Sequence, residues 1–139
     1  MKTKDIHIKL FNNKSKCWEA FPRSKNHEIE LNDISNGNQD QKWTIREDKI
    51  TILTKNEGEK VAECYPNSNR LETSNNHSGN KDQKFQFRPV ENEADNVFFI
   101  FCNTKNRGEK YVYGNSKNQS GIGLRDFNST DSELYWIID

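Results

Sequence analysis

Two glutamates, Glu19 and Glu63, stand in matched settings. Each lies in a short apolar segment (Cys17-Trp18-Glu19-Ala20 and Val61-Ala62-Glu63-Cys64), and each is followed two residues later by an aromatic ring, Phe21 or Tyr65. Each also has an Asp-Gln pair further along, Asp40-Gln41 and Asp82-Gln83. Ionised carboxylates only accept hydrogen bonds, so the set offers binding chemistry. Catalytic constellations are missing by comparison. His7, His27 and His77 occupy unrelated positions, and there is no HExxH, no GxSxG and no glycine-rich phosphate loop. Ser120-Gly121-Ile122-Gly123 follows a polar loop and reads as a tight turn. Cys17, Cys64 and Cys102 have no metal-ligand spacing and read as buried free thiols in a reducing setting. The expectation is a binding protein with no enzymatic activity, no metal and no cofactor.

The elements that must position these residues are written in a repeat. Residues 54–62 (TKNEGEKVA) and 104–112 (TKNRGEKYV) agree at six of nine positions, fifty residues apart. An apolar stretch precedes each, at 49–53 and 97–102, and an aromatic landmark follows, QKF at 83–85 and LYW at 134–136. A third copy runs from IHIKL at 6–10 through KSKCWEA at 14–20 to QKW at 41–43. A period of this length marks a unit that cannot bury its own apolar face. Three copies in 139 residues point to a closed structure of three units, approximately 1–47, 48–93 and 94–139, forming one domain.

Composition agrees with a folded chain. The hydrophobic share is 31% and mean hydropathy is −1.11, but net charge is zero and fifteen residues are Phe, Trp or Tyr. The balanced charge gives no general attraction to nucleic acid. No apolar run reaches the ~18 residues of a membrane span, and the N-terminus lacks the apolar core of a secretory signal. A cytoplasmic or non-classically secreted protein is expected, or one cut from a precursor.

Ile6–Leu10 and Ile50–Ile52 alternate, and Val97–Cys102 is β-branched and aromatic; these are strands. Asn-, Gly- and Ser-rich segments separate them, and no helical stripe is present. The fold class is all-β, with about four short strands per unit. Aligning the copies places Trp18/Ala20, Ala62/Cys64 and Val112/Gly114 on one strand face, toward the barrel. Cys17/Glu19, Val61/Glu63 and Tyr111/Tyr113 share the other, which faces outward or lines a groove because an unpaired glutamate is costly in an apolar core.

Three units closing on a Gln-x-Trp-like element resemble the ricin B-type (R-type) lectin family, whose fold is the β-trefoil. The element is Gln41-Lys42-Trp43, then Gln83-Lys84-Phe85, then Leu134-Tyr135-Trp136, where the glutamine is lost. Trp43, Phe85 and Trp136 are expected in the core, each burying roughly 150–250 Å². The glutamine is expected to satisfy backbone groups in its turn.

The resemblance implies a carbohydrate-binding protein: an agglutinin, or the receptor-binding part of a toxin-like system. Its ligand would be a glycan, most simply a galactose-type sugar. Laid onto this chain, the family pocket comprises Glu19, Asp40 and Gln41 in the first unit and Glu63, Asp82 and Gln83 in the second. The third unit has Tyr113 and Leu134 at these positions and is expected to lack a site. The aromatic platform falls near Leu31, Thr73 and Leu124, none of them aromatic, so Phe21 and Tyr65 are substitute platforms. The alternative is a trefoil that binds a protein partner through its loops and no sugar, such as a protease inhibitor or toxin-complex component.

Overall fold

The computed structural model describes all 139 residues. Twelve strands form: β1 (Ile8–Leu10), β2 (Asn13–Ala20), β3 (Ile29–Asp33), β4 (Trp43–Arg46), β5 (Lys49–Thr54), β6 (Gly58–Tyr65), β7 (Arg70–Ser74), β8 (Phe85–Pro89), β9 (Val97–Thr104), β10 (Gly108–Gly114), β11 (Ile122–Arg125) and β12 (Tyr135–Ile138). Single 3-10 turns at Gln39–Gln41, Pro66–Ser68, Lys81–Gln83 and Ser132–Leu134 are the only helical elements.

Six strands close into a barrel. Antiparallel ladders join β4 to β5, β8 to β9, β9 to β12 and β12 to β1. The circuit is completed by the Ile6–Trp43 bridge beside β1 and β4 and by the Phe85 amide donating to the Asp48 carbonyl at 2.7 Å, between β8 and β5. The other six strands form three hairpins, β2–β3, β6–β7 and β10–β11, which cap one end. Their outer strands meet: Glu28 bridges Glu72, the Leu31 amide reaches the Ser120 carbonyl, and the Thr73 amide reaches the His27 carbonyl.

Alternation along the strands decides what is buried. Trp18, Ala20, Ala62, Cys64 and Val112 join Trp43, Phe85 and Trp136 in one apolar cluster of 22 residues. Trp18 sits between two of the landmark rings, edge-on to Trp43 at 5.9 Å and to Trp136 at 5.6 Å. Such pairs contribute about 0.5–1.5 kcal/mol beyond burial. The Trp43 Nε1–H donates to the Trp18 carbonyl at 3.1 Å and the Trp136 Nε1–H to the Val112 carbonyl at 2.9 Å. Gly114 makes room for this core, since a Cβ there would lie 2.5 Å from Trp136 Cη2. All three cysteines are buried and unpaired.

Truncating Trp43 to Ala is expected to cost about 3–5 kcal/mol in urea unfolding. Trp43→Phe keeps a ring, as at Phe85, and should lose only about 1 kcal/mol with the Nε1 hydrogen bond. Equal losses for both variants would show that the hydrogen bond, and not ring packing, dominates at this position.

Candidate functional site

The site begins with a turn used three times. Asn38 Oδ1 accepts from the Asp40 amide at 3.0 Å, Asn80 Oδ1 from the Asp82 amide at 3.0 Å, and Asp131 Oδ1 from the Glu133 amide at 3.1 Å. These are side-chain caps on short 3-10 turns. In the first two turns, the carboxylate so placed reaches the following hairpin. Asp40 Oδ1 accepts from the Lys55 amide and Asp82 Oδ1 from the Lys105 amide, each at 2.8 Å.

The glutamine that ends each turn points inward. Gln83 is fully buried; its Nε2 donates to Glu63 Oε1 at 2.8 Å and to the Asn75 carbonyl at 2.9 Å. Its Oε1 accepts from the His77 amide at 2.9 Å and from Lys49 Nζ at 3.1 Å. Gln41 repeats the pattern, donating to Glu19 Oε1 and the Asp33 carbonyl, both at 2.8 Å, and accepting from the Ser35 amide at 2.9 Å. Both amides are spent inside the protein. Gln41 and Gln83 therefore orient the carboxylates of Glu19 and Glu63, and they stand behind the clefts.

Two clefts result. One is lined by Glu19, Asp40, Asn38, Lys55 and Asn56 and holds about 510 Å³. The other is lined by Glu63, Tyr65, Asp82, Asn67 and Asn106 and holds about 130 Å³. Glu63 is only 9% exposed, whereas Glu19 is half-buried. The Tyr65 phenol is pushed up to about 12 by burial and by the carboxylates of Glu63 and Glu72. It stays a neutral hydroxyl against them. Phe21, the matching ring, is not part of the first cleft wall; it lies at the turn where its amide meets the Glu28 carbonyl at 3.0 Å. Leu31 packs on the core, while Thr73 and Leu124 are buried, so none of the three serves as a platform.

Asn56 and Asn106 escaped the sequence reading as cleft residues. The signal was present in the repeated Thr-Lys-Asn of 54–56 and 104–106. It was hidden because each asparagine comes from the hairpin after the turn it serves.

The third place is built of hydrocarbon. Leu134 is fully buried and packs with Phe99, Phe101, Tyr111, Tyr113 and Ile137 in a second apolar cluster. The Arg125 guanidinium lies 3.8 Å above the Tyr113 ring. It donates to Glu133 Oε1 at 2.7 Å and Asp131 Oδ2 at 3.0 Å. Both acidic residues of the third turn are thus paired with Arg125, and Leu134 supplies no polar group beside them.

The chain superposes on BEL β-trefoil with a TM-score of 0.75 and 12% identity, covering 100% of this chain and 94% of that one. The fold is a β-trefoil. It also matches the Vibrio vulnificus hemolysin/cytolysin β-trefoil lectin, solved with N-acetyl-D-lactosamine bound, with a TM-score of 0.67, 11% identity, and 99% and 95% coverage. A mosquitocidal holotoxin matches with a TM-score of 0.74 and 15% identity over 100% of this chain, which spans 17% of the toxin. No family model and no curated protein matches the sequence.

Two outcomes follow from the trefoil's polar turns. Gln83→Ala leaves a buried carboxylate, an amide and a carbonyl without partners and should cost about 3 kcal/mol or more, read by chemical denaturation. The second concerns Glu30, which faces Glu19 across the β2–β3 ladder. Burial, then Glu28 and Glu19, raise its carboxyl above the ordinary value. A raised carboxyl binds its proton more tightly in the folded state, so stability is lost as pH rises through its folded value. Glu30→Gln should raise the melting temperature at neutral pH, and the gain should vanish below the ordinary carboxylate range. A gain independent of pH would exclude charge repulsion as its origin.

Proposed function

We propose that this chain is a lectin-like carbohydrate-binding module of three pseudo-equivalent units, with saccharide clefts in the first two. Glu19, Asp40 and Asn56 form the open cleft, and Glu63, Asp82 and Asn106 the tighter one. The observation that carries this reading is the repeated buried glutamine, which holds a glutamate carboxylate in the wall of a cleft that an aspartate also lines. Such a carboxylate accepts charge-assisted hydrogen bonds from sugar hydroxyls, and Asn56 or Asn106 adds an amide. The excess of carboxylate favours a neutral sugar, for which a galactose-type glycan is the first choice. The lectins among the solved structures of this fold support the reading. The holotoxin, of which the chain spans 17%, supports a receptor-binding role in a toxin-like assembly, where several weak sites act together.

A second reading is favoured by Phe127, 43% exposed and packed edge-on against Phe99 at 5.2 Å. It is a trefoil that docks on a protein through this aromatic flank.

Glycan-array binding of the parent decides first, since no binding favours the protein partner. In a binding parent, Glu19→Gln with Glu63→Gln should weaken binding about tenfold or more, the scale of a lost charge-assisted hydrogen bond. Glu91→Gln, on an exposed loop, should leave it unchanged. Full binding by the double variant would remove both clefts from the assignment.

A further inference from the structure

We propose that the junction of the three cap hairpins is a separate pocket for a neutral, hydroxyl-rich ligand of monosaccharide size. The pocket holds about 460 Å³ and draws its walls from all three hairpins: Glu28 from the first, Asn69 and Arg70 from the second, and Tyr113, Asn118 and Gln119 from the third. That volume lies within the range of small-molecule sites, ~300–1,000 Å³. It shares Ser68 with the rim of the Glu63 cleft and no residue with the Glu19 cleft, and neither glutamate lines it.

The pocket is held in shape by bonds between hairpins. Asn69 adopts left-handed backbone, φ 53°, and its Oδ1 accepts from the Leu124 amide at 2.7 Å. The Tyr113 hydroxyl accepts from Asn69 Nδ2 at 3.4 Å and from Asn118 Nδ2 at 3.2 Å. Two donors fill its acceptor positions and leave its own O–H to donate toward the pocket. Gly123, opposite Tyr113 in the ladder, lets the ring lie flat across the hairpin; a Cβ there would meet Tyr113 Cε1 at 2.4 Å.

Charge selects the ligand class. Arg70 is already neutralised, its Nε donating to Glu72 Oε2 at 2.6 Å. Glu28 Oε1 accepts only from the Asn26 amide, at 3.1 Å, so its carboxylate is the uncompensated charge on the wall. An anion is repelled, whereas a pair of hydroxyls can donate to Glu28 and accept from the Asn118 and Gln119 amides and the Tyr113 O–H. The apolar platform of an aromatic-stacking site is absent, because the Tyr113 ring lies between Gly123 and the Arg125 guanidinium. Affinity should therefore be on the order of millimolar, near the weak end of the free-energy scale.

The test uses the full chain labelled with ¹⁵N, with glucose, galactose and mannose as neutral probes and glucuronic acid, identical to glucose in its ring hydroxyls, as the charged one. The neutral probes should shift the side-chain amide signals of Asn69, Asn118 and Gln119, glucuronic acid several-fold more weakly. The shifts should persist in the Glu19→Gln, Glu63→Gln background, which separates this pocket from the clefts. Asn118→Ala and Gln119→Ala, both at exposed positions, should each weaken the response several-fold. Glu28→Gln should bring glucuronic acid level with glucose. Unmoved Asn69, Asn118 and Gln119 amides with all three neutral sugars at ~50 mM, far above a millimolar dissociation constant, would overturn the pocket. So would loss of the shifts in the double-glutamine background. Glucuronic acid equal to glucose on the parent protein would overturn the neutral-ligand assignment.

Discussion

A buried primary amide must find a partner for each of its donors and acceptors, or the fold bears the desolvation cost. Gln83 meets that requirement by joining a turn, a cap hairpin and a barrel strand at one point: His77 and Asn75, Glu63, and Lys49. Gln41 joins its turn to the first cap hairpin through Ser35, Asp33 and Glu19 and has no bond to a barrel strand. The amide is thus a structural fastener whose exposed consequence is an oriented carboxylate. Stability and the orientation of the carboxylate share one group, so the second turn cannot drift without loosening its hold on the barrel. Where Leu134 replaces the glutamine, the demand disappears and the surroundings turn apolar to match.

Much of this arrangement was legible in the residues. The Gln-x-aromatic landmarks located the core rings, and strand alternation separated Trp18 and Ala62 from Glu19 and Glu63, because a period of two leaves little freedom once one face is buried. What sequence could not give was depth. Glu63 is nearly enclosed while Glu19 is not, and the difference lies in Tyr65 lining the second cleft where Phe21 leaves the first open. The central place of Trp18 among the landmark rings was also hidden. It depends on how three hairpins meet across the axis, which no local pattern reports. Asn56 and Asn106 were missed for a similar reason, since their role belongs to the neighbouring turn.

The third flank shows how one backbone accepts opposite chemistry. Phe99 occupies the place of Lys49 in the repeat, Tyr113 that of Glu63, and Leu134 that of Gln83. All three substitutions go from polar to apolar or aromatic. A single one would strand a charge or open a hole, so the changes are tolerable only together. Arg125 and Arg88 then lie over the exposed side of the rings; the Arg88 guanidinium is 5.0 Å from Phe127 and 5.2 Å from Phe101.

The bonds from Asp40 to the Lys55 amide and from Asp82 to the Lys105 amide have a consequence for how such a chain can be divided. Each cleft straddles a seam between successive segments, its acid side on one and its asparagine side on the next. The middle unit cut out at 48–93 would carry half of each cleft, either outer unit half of one, and none a whole cleft. Rearranging the order of the chain by joining its ends and opening a distant loop would keep every seam intact. Both clefts lie at seams between units consecutive in the chain, so an array that stopped after the second unit would leave its last cleft half built.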